Sequence, residues 1–250
     1  MVDLGAHVGY FSLLAARAAG PEGFVFSVEP DPVNFAVLVE NVRINALENV
    51  YLLNSAAWDK NELLIFHPNG ALGQINPAGI PDEHHRIGTK PGAENATVYG
   101  RALDEKIGHL EIDLIKIDVQ GAEARALEGM PKAVARAKSI IIEIWPAGLR
   151  QFGNTPRDIT RAISAAGFDL YACTKEAPRA EAFDFFNLGP AGDHIEIYAT
   201  KDPGPLPWQK QSQAAPDRAS TGARNAVPAF FQMGRANGRM QTNGGQNGII

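Results

Sequence analysis

The sequence predicts an α/β fold built on a doubly wound, mostly parallel sheet, and three observations carry that prediction. Short β-branched runs alternate with stretches of helical periodicity, the pattern of βαβ units. A glycine turn, Gly5-Ala6-His7-Val8-Gly9, follows a short apolar start and opens onto a helical run. A carboxylate, Glu29, closes the next strand-like run 20 residues after Gly9. The chain of 250 residues is 45% apolar, enough to bury a core. None of its apolar runs reaches the roughly 18 residues that a spanning helix needs.

The first strand is short, because only Met1-Val2-Asp3 precede the glycine turn. A central parallel strand usually runs about 5–6 residues, so the first strand is expected to be truncated at the N-terminus. Ser12-Leu13-Leu14-Ala15-Ala16 continues the turn into a helix. FVFSVE (24–29) reads as the second strand. A helix follows it, with Asp31 as cap and Pro32 in the first turn. Phe35, Leu38, Val39 and Val42 fall on one face of that helix. VYLLN (50–54), LLIFH (63–67), DLIKID (113–118), SIIIEI (139–144), FDLYAC (168–173) and HIEIYAT (194–200) read as further strands. Thr155-Pro156-Arg157-Asp158 is a capping box for a helix that carries Ile159 and Ile163 inward and stops at Gly167.

Two stretches lack a period. Residues 68–96 are rich in Gly, Pro and Asn and read equally as a lid over a ligand site or as a surface excursion. Residues 201–250 hold 12 Gly and Pro and dense Gln and Asn, so they are expected to be a flexible, disordered tail behind a domain at 1–200.

Net charge is −5, but residues 1–200 carry −9 and residues 201–250 carry +4. An acidic body excludes a nucleic-acid surface, which needs clustered basic charge. Cys173 is the single cysteine, so no internal disulfide framework forms, and it is expected to be a small core residue. No secretory signal is visible at the start, and the expectation is a cytoplasmic protein without a membrane span. No His or carboxylate cluster has metal-ligand spacing, and His84-His85 reads as a solvated loop pair, so no metal is assigned.

The chemistry lies in three places. The glycine turn is spaced GxxxG rather than the GxGxxG of dinucleotide folds, and Asp3 stands two residues before Gly5. A carboxylate there repels a pyrophosphate and suits an ammonium or sulfonium group. Glu29, at the end of the second strand, is placed to accept hydrogen bonds from both hydroxyls of a ribose. Lys116 and Asp118 interrupt an apolar strand, and buried charge costs several kcal/mol unless paired or functional. Lys116 reads as half of an internal pair. Asp118 has no obvious partner and reads as a site residue. Glu143 interrupts IIIEI, either to pair with Lys116 or to move protons. His7 and His84 are held in reserve, because imidazole titrates near neutrality.

These motifs, VDLGAHVGYFS, VEPDP with Asn34-Phe35 and Glu40-Asn41, Ala102-Leu103-Asp104, LIKIDVQGAEARALEG and IIIEI, resemble the FkbM-type methyltransferases from residue 2 to about residue 200. The resemblance implies a class I, Rossmann-like fold with a seven-stranded, mostly parallel sheet and an antiparallel last hairpin. It implies S-adenosylmethionine as cofactor and methylation of a hydroxyl on a sugar, a lipid or another small natural product. It implies that Asp3, Gly5, Ala6 and Gly9 border the methionine part of the cofactor and that Glu29 holds the ribose. Ala56, Ala57 and Trp58 would flank adenine. Asp118 stands first as general base and Glu143 second. The alternatives are a nicotinamide-dependent oxidoreductase, disfavoured by GxxxG and Asp3, and a non-catalytic remnant.

Overall fold

The structure is a computed structural model that describes residues 1–68, 73–77, 95–173 and 194–202. In chain order its elements begin with β1 (Val2–Leu4), α1 (Tyr10–Ala19), β2 (Val25–Val28), α2 (Pro32–Ile44) and β3 (Val50–Leu53). β4 (Ala56–Ala57), β5 (Glu62–His67), β6 (Gln74–Pro77), β7 (Ala96–Arg101) and α3 (Asp104–Ile107) follow. The last third holds β8 (Ile112–Ile117), α4 (Glu123–Glu128), α5 (Pro131–Arg136), β9 (Ala137–Ile144) and α6 (Pro146–Gln151). It closes with α7 (Pro156–Ala165), β10 (Asp169–Ala172) and β11 (Ile195–Thr200).

A seven-stranded sheet runs in the order β10-β11-β9-β8-β1-β2-β3. β1 pairs in parallel with β2 and with β8, and only β11 runs antiparallel to its neighbours β9 and β10. The chain winds from β1 outward to β3 and then returns to β8 on the other flank of β1. The carboxyl ends of β1 and β8 therefore meet at a topological switch point, the crevice where such sheets bind ligands. β1 is three residues long and central, and all three are buried.

Successive strand residues point to opposite faces, and both faces are covered. Leu53 packs with the cluster that joins the sheet to Leu103 and Ile107 near α3, Ala124 and Leu127 of α4, Val134 of α5 and Ile159 of α7. Its neighbour Leu52 packs with Leu38 and Val42 of α2 and Leu13 of α1. Ile115, Ile117, Ile140, Ile142 and Ile144 are sealed from solvent in β8 and β9. Each such side chain contributes about 1.5–3 kcal/mol of burial, which makes this pair the rigid base of the site.

The caps form as their sequences require. Asp31 Oδ1 accepts from the Val33 N–H at 2.8 Å at the head of α2. Thr155 and Asp158 make the reciprocal capping box of α7. α7 buries Ile159 and Ile163, and Gly167 takes φ 88° just past its end. Val39, placed on the inner face of α2 by spacing alone, is 41% exposed, and Leu38 and Val42 carry that face instead.

A second, four-stranded sheet, β4-β7-β5-β6, was not visible in the sequence. The run at 63–67 belongs to it rather than to the main sheet. Within 68–96, residues 74–77 pair with β5 as a strand. The remainder of that stretch, with His84 and His85, lies outside the described residues, as does the chain beyond Asp202. Cys173 is half-buried rather than a core residue, and burial pushes its thiol up to about 11. Among the described residues no helix is long and apolar enough to cross a membrane.

Candidate active site

The glycine turn is held by backbone bonds that leave its first residues no freedom. Gly5 and Ala6 both donate to Val28 O at 3.0 Å, and Asp118 N donates to Leu4 O at 3.1 Å. Gly5 has φ 75°, and a Cβ there would lie 1.8 Å from the Asp118 carbonyl oxygen. Glycine is required at this point by the close approach of two strand ends. Gly9 has φ 96° and packs against Leu38, while Asn41 Nδ2 donates to Val8 O at 2.8 Å and ties the turn to α2.

The turn, the end of β2 and the end of β8 enclose a cleft of about 240 Å³. Gly5, Ala6, His7, Glu29, Ala57 and Asp118 are among its walls. Glu29 is 5% exposed. Its Oε2 accepts from the His7 N–H at 2.7 Å and its Oε1 from the Asp31 N–H at 2.9 Å. A carboxylate oxygen has a second lone pair, so each can still accept from a ligand. Burial pushes this carboxyl up to about 7 against the pull of its two backbone donors.

Asp3 has a different place from the one expected. It is fully buried beneath the turn and is not among the cleft walls. Its Oδ2 accepts from Ser12 Oγ at 2.6 Å, and its Oδ1 lies 3.3 Å from Lys116 Nζ. The charge that suggested a sulfonium partner is neutralised inside the protein. Lys116 also lies 3.6 Å from Asp118 Oδ2 and 5.2 Å from the centre of the Phe11 ring. Burial works against its charge, but Asp3 and Asp118 hold the ammonium above its ordinary range. The internal pair expected for Lys116 is thus formed with these two residues.

Asp118, which lacked an obvious partner in the sequence, has two. Besides Lys116, its Oδ1 accepts from Gln120 Nε2 at 2.8 Å. Burial raises its carboxyl, Lys116 opposes that, and Glu143 adds to it. Glu143 does not pair with Lys116. It accepts from Gln120 at 3.0 Å and lies 3.1 Å from His194 Nδ1. Neither Glu143 nor Gly9 is among the cleft walls. Trp58 is also set back: it is 2% exposed, donates to Glu62 at 2.7 Å and meets Phe152 edge-on.

The family model described as the methyltransferase FkbM domain matches residues 3–170. The chain belongs to the FkbM methyltransferase family. It is similar to methyltransferase sdnD of Sordaria araneosa, at 28% identity over 68% of this chain and 73% of that protein. It is similar to the hexuronic acid methyltransferase AglP of Haloferax volcanii, at 27% identity over 66% of this chain and 61% of that one. The solved FkbM methyltransferase of Methylobacillus flagellatus shares the fold, with TM-score 0.50 and 19% identity over 80% of this chain. The chain spans 42% of that protein.

Three residues of this chain escaped the sequence reading, two of them, Gln120 and Glu123, inside the matched FkbM domain. Gln120 and Glu123 lie inside the DVQGAE motif but had no role there. Gln120 is a non-glycine residue at φ 52°, a conformation that costs about 1–3 kcal/mol and gathers at functional sites. Glu123 is 1% exposed and accepts from the Gly121 N–H at 2.8 Å, and burial pushes its carboxyl up to about 8. His194 opens the last strand, and only the antiparallel return of β11 along β9 brings it beside Glu143. No local signal in the sequence marks that meeting.

Proposed function

We propose that this FkbM domain transfers a methyl group from S-adenosylmethionine to a hydroxyl of a sugar, lipid or other small-molecule acceptor, with Asp118 as general base. The observation that carries the reading is that Glu29 and Asp118 face one cleft from either side of the glycine turn. The residues present fit the cofactor. Gly5, Ala6 and Ala57 leave the wall free of bulk, and Glu29 keeps one lone pair on each oxygen for a vicinal diol. With Asp3 neutralised by Lys116, the ligand meets one free acceptor carboxyl on the β2 side rather than two.

S-adenosylmethionine, when bound, supplies a methyl group activated by a sulfonium. The protein's own share is alignment and proton removal. Alignment of reacting groups is worth ~7–11 kcal/mol. A simple alcohol holds its proton about as tightly as water, near pKa ~15.7, so a positioned base adds ~10²–10⁴-fold. Asp118 fits that part, since burial and Glu143 strengthen its hold on a proton. The sugar acceptor draws support from AglP, a hexuronic acid methyltransferase by name.

The test is to supply S-adenosylmethionine with neutral sugars, uronates and lipid alcohols and to identify the methylated atom by NMR. An O–CH₃ product is expected. Methylation at nitrogen or carbon alone would sink the reading.

A further inference from the structure

On the β9 side of Asp118, its near neighbour Gln120 and polar groups from two further segments converge. One amide nitrogen of Gln120 bridges Asp118 and Glu143, at 2.8 and 3.0 Å. His194 Nδ1 lies 3.1 Å from the same oxygen of Glu143. The imidazole lies flat on Trp145, with centroids 5.7 Å apart and 2° between the planes. Trp145 is itself fixed by close packing on Gly148, where a Cβ would come within 2.3 Å of the indole. Ile195 pairs with Ile144, so His194 stands at the carboxyl end of β9, level with the cleft. A stacked ring with one carboxylate partner has its orientation set before any ligand arrives.

We propose that Glu143 and His194 are positioning residues for Asp118: the imidazolium holds Glu143 ionised, and that negative neighbour strengthens Asp118 as a proton acceptor. The inference rests on the reading of Asp118 as base. In the step, the acceptor hydroxyl gives its proton to the Asp118 carboxylate. The freed oxygen pair forms the C–O bond while the C–S bond breaks toward sulfur. The product is an ether, a thioether and a neutral Asp118 carboxyl. A neutral Asp118 beside an ionised Glu143 is favoured over two carboxylates side by side.

The surroundings agree with this. The bond to Glu143 raises His194 against the effect of burial. Burial works against the Glu143 charge, yet His194 holds that carboxyl below its ordinary range. Glu123 of α4 adds negative field at His194. Glu196 of β11, opposite Glu143 in register, is raised by burial and by Glu143 and Asp118. Lys116 of β8 opposes them at Asp118, but it is shared with Asp3.

The experiment is a carboxyl-¹³C NMR titration of the full chain as wild type, Glu143→Gln and His194→Phe. Phenylalanine keeps a ring on Trp145 and removes only the nitrogen partner. Asp118 is expected to titrate at lower pH in Glu143→Gln, which removes its negative neighbour, and Glu143 at higher pH in His194→Phe, which removes its cationic partner. An Asp118 titration that stays put in natively folded Glu143→Gln, or a Glu143 titration that stays put in natively folded His194→Phe, overturns the proposal, and a purely structural role for His194 gives the second result. If one variant does not fold, the other decides. Full turnover in Asp118→Asn, alongside the expected shifts, would overturn the base reading and with it the catalytic meaning of the network. Lost turnover in Asp118→Asn with unmoved titrations would overturn the network alone.

Discussion

On the β1–β2 side of the cleft, backbone does the positioning: Gly5 and Ala6 share one carbonyl acceptor, and two N–H groups hold Glu29. On the β8–β9 side, side chains do it. Asp118, Gln120, Glu143 and His194 reach one another from three chain segments, and Lys116 ties them back to Asp3. The first side is local in sequence, lying between Gly5 and Asp31, and depends on conformations that glycine permits. The second depends on long-range pairing of strands and on the mutual balance of buried charges. A site can therefore be half motif and half topology, and the two halves should fail differently when mutated.

The sharpest break comes where the halves touch. Gly5→Ala places a methyl group 1.8 Å from the Asp118 carbonyl at φ 75°. Strain and overpacking together cost about 2–5 kcal/mol. Gly20→Ala, at φ 68° with nothing within 4 Å, carries the strain without the clash. Denaturant unfolding should show Gly5→Ala as clearly the less stable. Equal losses would mean that the close approach is not what the glycine serves.

Asp118→Asn should cut turnover by ~10²–10⁴-fold, the usual worth of a positioned base. Activity within tenfold of wild type would remove Asp118 from that role and leave the β8–β9 side structural.

The glycine turn, Glu29 and the alternation of strands and helices were legible because each is a local pattern tied to one conformation. The class of fold and the switch point followed from them. The second sheet was not legible: β4 is two residues long, and β6 sits in a stretch of Gly, Pro and Asn that mimics a loop. Asp3 was read as facing a ligand because its neighbours in sequence are the turn. Its true partners, Ser12 and Lys116, are set by a helix face and a neighbouring strand. The pairing of Glu143 with His194 depends on a strand that returns 51 residues later.

Glu123 offers a test of the charge balance without any ligand. Its folded value, about 8, lies above the ordinary 4.5, so the folded chain holds a proton that the unfolded chain has lost between those pH values. Stability should therefore fall as pH rises through that window and level off above it. Glu123→Gln removes the titration. Its stability relative to wild type should grow between pH 5 and pH 8 by on the order of 1–3 kcal/mol. Parallel melting curves across that range would contradict the buried, neutral acid.

The central claim is that one side of the cleft holds S-adenosylmethionine and the other serves the acceptor. Calorimetric titration with S-adenosylmethionine at pH 8, where Glu29 is ionised, tests it directly in wild type, Glu29→Ala and Asp118→Asn. Loss of a charged acceptor for two hydroxyls costs roughly 1.5–3 kcal/mol, so Glu29→Ala should bind about ten- to a hundredfold more weakly. Asp118→Asn should bind as wild type does. Equal affinity in Glu29→Ala and wild type, or a loss confined to Asp118→Asn, would contradict the division of the site.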